Sequence, residues 1–281
     1  MLGERQKAAA TELAQWWDGI RHGGIGSHAV LLAGPPGWGR STVLSQLPVM
    51  IGGASAPLSL LVDINGRSLP EAPGPQAHAL RDGLLGAEVR RQAAALLCRG
   101  RQRRAAPLEA PDSLLTSGMA GTVSVVLAAL AAAAAGEVAD DSPAGQNGVV
   151  ARAARIVAAV SASAPVLVVI DDADYVEPGL AVTMIENLID HYDSQVLVVA
   201  AVDLGSDLAA ALTSRARYGP TAGRVHRAAV DPRMGRRSRA ELAGELSPDL
   251  TPAEARQLAR QTLTFAEIFA ATRSGQLPPT R

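Results

Sequence analysis

Lysine, cysteine and aromatic residues are scarce in this chain of 281 residues. Lys7 is its one lysine, so every other basic side chain is an arginine, and aromatic residues make up only 3% of the sequence. The single cysteine, Cys98, excludes an intrachain disulfide framework and a cysteine-only zinc site, and it is consistent with a reducing cytosol. Because apolar residues still total 48%, the core must be aliphatic, built from Ala, Val, Leu and Ile.

Strong net charge and an export signal are also missing. The formal net charge is -1, which argues against a general electrostatic attraction to nucleic acid. The N-terminal stretch MLGERQKAAATEL is charged and lacks the apolar core of a signal peptide, so we expect a cytoplasmic protein. The arginine-rich stretch at 99–104 has no aromatic residue that would stack on a base, and we interpret it as a solvated loop.

Residues 113–136 carry no charged side chain, and the arginine-rich stretch precedes them. This length and this basic flank are typical of a membrane-spanning helix. The composition of these residues is mostly Ala, Gly, Ser and Thr, however, whose transfer into a membrane is close to neutral. We therefore interpret the segment as an Ala-rich helix of the folded protein and expect no membrane partner.

A glycine-rich stretch, GPPGWGRST, follows the apolar run at 29–33 and precedes a predicted helix. It fits the phosphate-loop pattern G-x-x-x-x-G-K-[ST] except that Arg40 stands where lysine is expected. Glycines let the main chain approach phosphates, and loop amides with the helix terminus supply hydrogen-bond donors. The alternative is an ordinary tight turn. The predicted nucleotide-binding residues are Gly34, Pro35, Pro36, Gly37, Trp38, Gly39, Arg40, Ser41 and Thr42.

Several carboxylates follow a second apolar run at 165–170, in the sequence VLVVIDDAD. Mg²⁺ prefers oxygen ligands and keeps several waters, so Asp171 together with the Ser41 hydroxyl would suffice to hold it. Asp172 is a candidate to orient or deprotonate an attacking water, and Asp174 competes for that role. The alternative is a carboxylate-rich turn that caps the next helix. With the glycine-rich stretch, the motif predicts binding of ATP and Mg²⁺.

The order of predicted elements indicates an α/β protein. Apolar runs at 29–33, 58–64, 165–170, 196–202 and 225–230 lack period-two alternation and alternate with helical patterns, which is typical of a parallel five-stranded sheet flanked by helices. Pro48 is expected to end the helix after the glycine-rich stretch at Leu47. We predict a nucleotide-binding core over 1–233, with an N-terminal helix and a helical insertion at about 76–150, followed by a helical lid over 234–281.

Nearly the whole chain resembles the ATPase domain of the AAA+ superfamily, in particular its STAND branch and the related Orc-like domains. The matching stretches are GPPGWGRST as Walker A, VLVVIDDAD as Walker B, VLVVAAVD as the sensor-1 strand and RVHRAAVDP as the fifth strand. The resemblance implies the strand order 5-1-4-3-2, with Asp203 between the phosphate loop and Asp171. It also implies hydrolysis of ATP to ADP and phosphate, with an arginine finger at Arg215 or Arg217 and a sensor-2 arginine at Arg256 or Arg260. The alternative for Arg215 and Arg217 is a pair of exposed arginines at a helix C-terminus, where the helix dipole favours them.

Two residues depart from the family pattern. Arginine at position 40 is longer and planar where the family has a compact lysine charge. Asp203 is an acid where sensor 1 is a neutral polar residue or an arginine, and Ser206 is the alternative if the strand ends later. An acid near a γ-phosphate would be repulsive unless Mg²⁺ or an arginine intervenes.

Three functions therefore stay open at this stage. The first is a regulatory switch that binds ATP, hydrolyses it slowly and acts on protein partners or by self-association. The second is a catalytically degenerate nucleotide-binding or scaffold module. The third is a DNA-associated AAA+ ATPase, which would show a steep salt dependence of DNA binding.

Overall fold

The computed structural model describes residues 4–51, 59–86, 142–161, 164–190, 194–203, 205–218, 221–230, 236–262, 267–268 and 271–272. The expected Ala-rich helix at 113–136 and the arginine-rich stretch at 99–104 lie outside these residues. Within the described part, no helix combines the length and the apolar character that a membrane span requires.

The described chain alternates helices and strands. The strands are β1 (His28–Ala33), β2 (Leu60–Asn65), β3 (Val166–Asp171), β4 (Val196–Val202) and β5 (Val225–Ala229). The helices are α1 (Glu4–Arg21), α2 (Arg40–Ile51), α3 (Pro73–Leu85), α4 (Pro143–Ser161), α5 (Pro178–Ile189), α6 (Asp207–Tyr218), α7 (Arg236–Leu246) and α8 (Pro252–Gln261). Short 3₁₀ turns follow β2 at Gly66–Ser68 and β3 at Ala173–Tyr175.

The five strands form one sheet in the order β2-β3-β4-β1-β5, and every pairing is parallel. This confirms both the fold class and the strand order that the family resemblance implied. Ala33 pairs with Val202, and Asn65 pairs with Asp171, so the strands end at matched heights. We call the edge where these ends meet the carboxyl edge; the segments that follow β1, β3 and β4 all leave the sheet there.

Helices cover both faces of the sheet, which explains the unbroken apolar runs of the central strands. On one face, Leu31 of β1 and Val198 of β4 belong to a core shared with α3, α4, α5 and α6. On the other face, Leu32 and Val199 belong to a second core shared with α1 and α2. Trp17 of α1 is fully buried in this second core, as the apolar stripe of that helix predicts.

The prediction that Pro48 ends the helix after the glycine-rich stretch is wrong. Helix α2 continues through Pro48 to Ile51. Proline removes one backbone donor and crowds the carbonyl four residues earlier, but a single loss near the end of a helix is tolerated when packing holds the segment. Leu47, immediately before Pro48, is fully buried and provides that packing, whereas Val49 is 71% exposed.

Helices α7 and α8 pack on each other through a small apolar cluster that includes Ala243, Leu258 and Ile268. Helix α8 begins with a capping box, in which Thr251 and Glu254 bond to each other's backbone amides. The division of the chain into a core over 1–233 and a lid over 234–281 stays a prediction.

A histidine pair lies toward the amino-terminal end of the sheet, on the α1 face. Nδ1 of His28 lies 2.9 Å from Nε2 of His226, and the Trp16 indole stacks on the His226 ring with 4.1 Å between centroids. Burial lowers the pKa of His28 to about 4, and the charges of His226 and Arg224 add to this effect. Burial also lowers the pKa of His226, although the carboxylate of Glu12 opposes that shift.

We expect His28 to make the fold sensitive to acid. The unfolded imidazole takes a proton below its ordinary pKa of 6.5, whereas the folded one takes it near 4, so the free energy of unfolding falls as the pH drops between these values. His28→Gln removes this titration, so its free energy of unfolding should fall by about 1 kcal/mol less than that of the parent. This difference is smaller than the free energy equivalent to the full pKa shift, because solvent screens a half-exposed ring. Urea unfolding across that pH range measures it. His22→Gln, on an exposed ring, should behave like the parent, and an equally steep fall in His28→Gln would contradict the assignment.

Candidate functional site

The glycine-rich loop, residues 34–39, connects β1 to α2 at the carboxyl edge. Gly37 and Gly39 have φ angles of +81° and +82°, in the left-handed region where glycine avoids the cost of a Cβ atom. Helix α2 begins at Arg40, so the backbone amides of its first turn have no acceptor within the helix. The chain thus presents backbone donors and a positive helix terminus at this edge, the arrangement that binds anions in proteins.

Gln6 of α1 holds the glycine-rich loop from the outside. Its side chain is buried, and its amide nitrogen donates a hydrogen bond to the carbonyl of Trp38 at 3.1 Å. A Cβ atom at Gly39 would lie only 2.2 Å from that nitrogen. Gln6 was not among the predicted site residues. It precedes Ala9 and Leu13 by helical spacings on the buried stripe of α1, and a polar residue in such a stripe is a signal of a buried contact.

Ser41 and Asp171 meet across the carboxyl edge. The Ser41 hydroxyl donates a hydrogen bond to Oδ1 of Asp171 at 3.1 Å, and the same oxygen accepts the backbone N–H of Asp172 at 2.9 Å. Asp171 is the last residue of β3, on the sheet face that α2 covers. A hydroxyl and a carboxylate at this separation are two hard oxygen donors of the kind that Mg²⁺ takes, so the residues fit that ion.

Asp172, the residue after Asp171, contacts the turn that follows β2. It has a φ angle of +49°, which is unusual for a residue other than glycine, and its Oδ2 lies 3.2 Å from Nε of Arg67. The Arg67 guanidinium also lies over the Tyr175 ring, 4.9 Å from its centroid. Gly66 allows this approach, because a Cβ atom there would lie 2.2 Å from the Asp172 carbonyl oxygen. Arg67 was not among the predicted site residues, since the strand order places β2 beside β3 but does not indicate which side chains meet there.

Arg40, Asp174 and Asp203 form a second contact at the same edge. Nη1 of Arg40 lies 2.6 Å from Oδ1 of Asp203 and 4.0 Å from Oδ2 of Asp174. That Asp174 oxygen accepts the backbone N–H of Asp203 at 2.5 Å, which ties the end of β4 to the turn after β3. The Arg40 side chain is only 9% exposed. Strand β4 ends at Val202, as predicted, so Asp203 directly follows the strand, whereas Ser206 accepts the backbone N–H of Ala209 at the start of α6.

Of the other predicted arginines, Arg215, Arg256 and Arg260 have described side chains, and none of these three takes part in the contacts above. Arg215 donates a hydrogen bond to Glu186 of α5 at 2.7 Å and is exposed, so it has a partner within its own chain. The side chain of Arg217 lies outside the described part. Arg256 and Arg260 are exposed on α8.

An open groove of about 480 Å³ extends from Ser41 and Asp171 along β2. Asp63 lies on its wall and stays largely exposed, yet partial desolvation raises the pKa of this carboxyl, and the charge of Asp171 adds to the rise. The groove therefore adds a further carboxyl group beside the Ser41–Asp171 contact.

A comparison with known families identifies the class. The family model described as AAA ATPase domain matches residues 7–199, more than half of the chain and the part that contains the glycine-rich loop and β3. The chain belongs to the AAA ATPase domain family, whose members are nucleotide-binding P-loop ATPases. Among curated proteins, none matches the chain.

Gly39→Ala should destabilise the protein. We expect a loss of at least about 1 kcal/mol in the free energy of unfolding, because an alanine in the left-handed region is strained and its Cβ would displace Gln6. Urea denaturation measures this loss. Gly148→Ala is the matched control, since its Cβ would enter open space on α4. A Gly39→Ala protein as stable as the parent would show that the loop does not hold this conformation in solution.

Proposed function

We propose that the chain is a regulatory switch of the STAND or Orc-like type, which binds ATP with Mg²⁺ at the carboxyl edge and hydrolyses it slowly. The glycine-rich loop, residues 34–39, and the first turn of α2 would bind the phosphates through backbone amides. Ser41 and Asp171 would hold Mg²⁺, which neutralises phosphate charge when bound. The observation that carries the proposal is the 3.1 Å contact between Ser41 and Asp171, which joins the two motifs at one point.

Slow hydrolysis is supported by the engagement of Asp172, the first candidate base. Asp172 is paired with Arg67, whereas Asp174 uses only Oδ2 to accept the Asp203 amide and its buried Oδ1 has no hydrogen-bond partner among the described residues. A base that must orient a water is more effective when its oxygen is free to accept that water's proton. Arg40 is likewise paired with Asp203 rather than exposed toward the loop.

The same contacts favour the second candidate, a nucleotide-binding module without catalysis. Suppose that the contacts of Arg40 with Asp203 and of Asp172 with Arg67 persist after nucleotide binds. The loop would then still bind phosphates, but Asp172 would not be available to position a water. The two candidates share the binding step and differ only in turnover, so a binding experiment and a turnover experiment together separate them.

The binding experiment is calorimetric titration of the purified protein with ATP, with and without Mg²⁺. Mg²⁺ should tighten ATP binding at least about tenfold in the parent, and Ser41→Ala should remove most of that gain because it deletes one proposed ligand of the ion. Ser45→Ala is the matched control: it lies one turn further along α2, and its hydroxyl bonds only the Thr42 carbonyl among the interactions described. Equal Mg²⁺ dependence in Ser41→Ala and Ser45→Ala would count against the proposed ion site.

The turnover experiment is Mg²⁺-dependent phosphate release by the parent, Asp172→Asn and Arg40→Lys. We expect measurable release well below about 1 s⁻¹ in the parent, and at least a tenfold further decrease in Asp172→Asn. Release at background level in the parent that Arg40→Lys restores would support the non-catalytic module instead. Equal release by the parent and Asp172→Asn would remove Asp172 from its proposed role.

A further inference from the structure

We propose that Asp203 is a specificity-determining residue that disfavours nucleoside triphosphates relative to diphosphates by holding the Arg40 guanidinium. This inference rests on the proposed function, because it assumes that nucleotide phosphates bind the glycine-rich loop. It concerns Arg40 and Asp203, the two positions where the chain departs from the family pattern, and it assigns them one shared function.

The geometry places the two departures in direct contact. Arg40 Nη1 and Asp203 Oδ1 are 2.6 Å apart, and a second carboxylate oxygen, on Asp174, lies 4.0 Å from the same nitrogen. Asp174 also accepts the Asp203 amide, so the end of β4 is held in the position that brings its carboxylate to the arginine. With its side chain 9% exposed, Arg40 has little access to solvent while this contact lasts.

The contact is an ion pair rather than a well-formed hydrogen bond. Arg40 Nη1 and Asp203 Oδ1 are both buried, and neither makes a hydrogen bond of good geometry with any described residue. A guanidinium pairs most strongly when two of its N–H groups point at two oxygens of one anion. Phosphate oxygens can provide that arrangement, so a triphosphate can compete with Asp203 for Arg40.

The competition concerns the third phosphate most. In a phosphate loop, the backbone amides contact the α- and β-phosphates, whereas the cation at the position of Arg40 reaches the β- and γ-phosphates. A diphosphate lacks the γ-phosphate, and the backbone amides already contact its β-phosphate, so it depends less on the guanidinium and can bind while Arg40 stays paired with Asp203. A triphosphate brings further negative charge toward Asp203, and it can bind the Arg40 guanidinium only if the contact between Arg40 and Asp203 breaks.

The experiment measures the dissociation constants of ATP and ADP, each with Mg²⁺, for the parent and Asp203→Asn. Asparagine keeps the size of the side chain and the backbone bond to Asp174 but removes the charge that holds Arg40. We expect Asp203→Asn to bind ATP about tenfold more tightly than the parent, and ADP less than about twofold more tightly. Asp203→Ser removes the same charge with a smaller side chain and should reproduce the change. Asp207→Asn, an exposed acid in the first turn of α6, should leave both constants unchanged.

A double-mutant cycle with Arg40→Gln tests whether Asp203 acts through Arg40. If Asp203 withholds the guanidinium, adding Arg40→Gln to Asp203→Asn should cancel the gain in ATP binding and weaken it at least fivefold relative to Asp203→Asn alone. If Asp203 merely repels phosphate, the tighter ATP binding of Asp203→Asn should persist when Arg40 is also replaced. This second result would overturn the inference.

The remaining outcomes are also decisive. Unchanged ATP and ADP constants in both Asp203→Asn and Asp203→Ser would overturn the inference while leaving the proposed function intact. Absence of ADP and ATP binding in the parent and in every variant would overturn the proposed function itself. ADP binding by each variant shows that its loop is folded, so a loss of ATP binding alone cannot be mistaken for unfolding.

Discussion

The parallel alignment of the five strands is the constraint on which the rest of the structure depends. Because β1 lies between β4 and β5, and β3 lies beside β4, the segments that leave β1, β3 and β4 emerge together. Ser41, Asp171 and Asp203 come from distant parts of the chain, and only this alignment brings their side chains to one edge. The apolar runs that fill both faces of the sheet therefore place the polar groups as well as stabilise the fold.

Arg40 and Asp203 look like separate defects when each is compared with the family pattern. Together they form an ion pair in which the Arg40 side chain is 9% exposed and that of Asp203 is 44% exposed. A buried arginine without a partner would be costly, and the carboxylate of Asp203 removes that penalty. The scarcity of lysine offers a compositional reason for an arginine at position 40, but it does not explain the acid at position 203. The contact explains why the two occur together.

The sequence was sufficient for much of the fold and for part of the site. Apolar runs marked the five strands within about two residues, and those of the central strands β1, β3 and β4 are unbroken because these strands are buried on both faces. Helix bounds were poorer: Pro48 did not end α2, since tertiary packing outweighed one lost hydrogen bond. The contacts of Gln6 with Trp38 and of Arg67 with Asp172 join segments from different elements, and a local pattern does not specify which distant segment a side chain meets. The pairing of Arg40 with Asp203 was hidden for the same reason.

The charge balance at the carboxyl edge connects binding to the metal ion. Four carboxylates, on Asp171, Asp172, Asp174 and Asp203, lie there with two guanidinium groups, on Arg40 and Arg67. Both guanidinium groups already neutralise acids of the edge, so the described side chains offer little uncompensated positive charge to an incoming polyphosphate. The loop amides contribute only partial charges. A divalent cation held by Ser41 and Asp171 would supply the missing charge, and its role would then begin at binding, before any bond to phosphorus is broken.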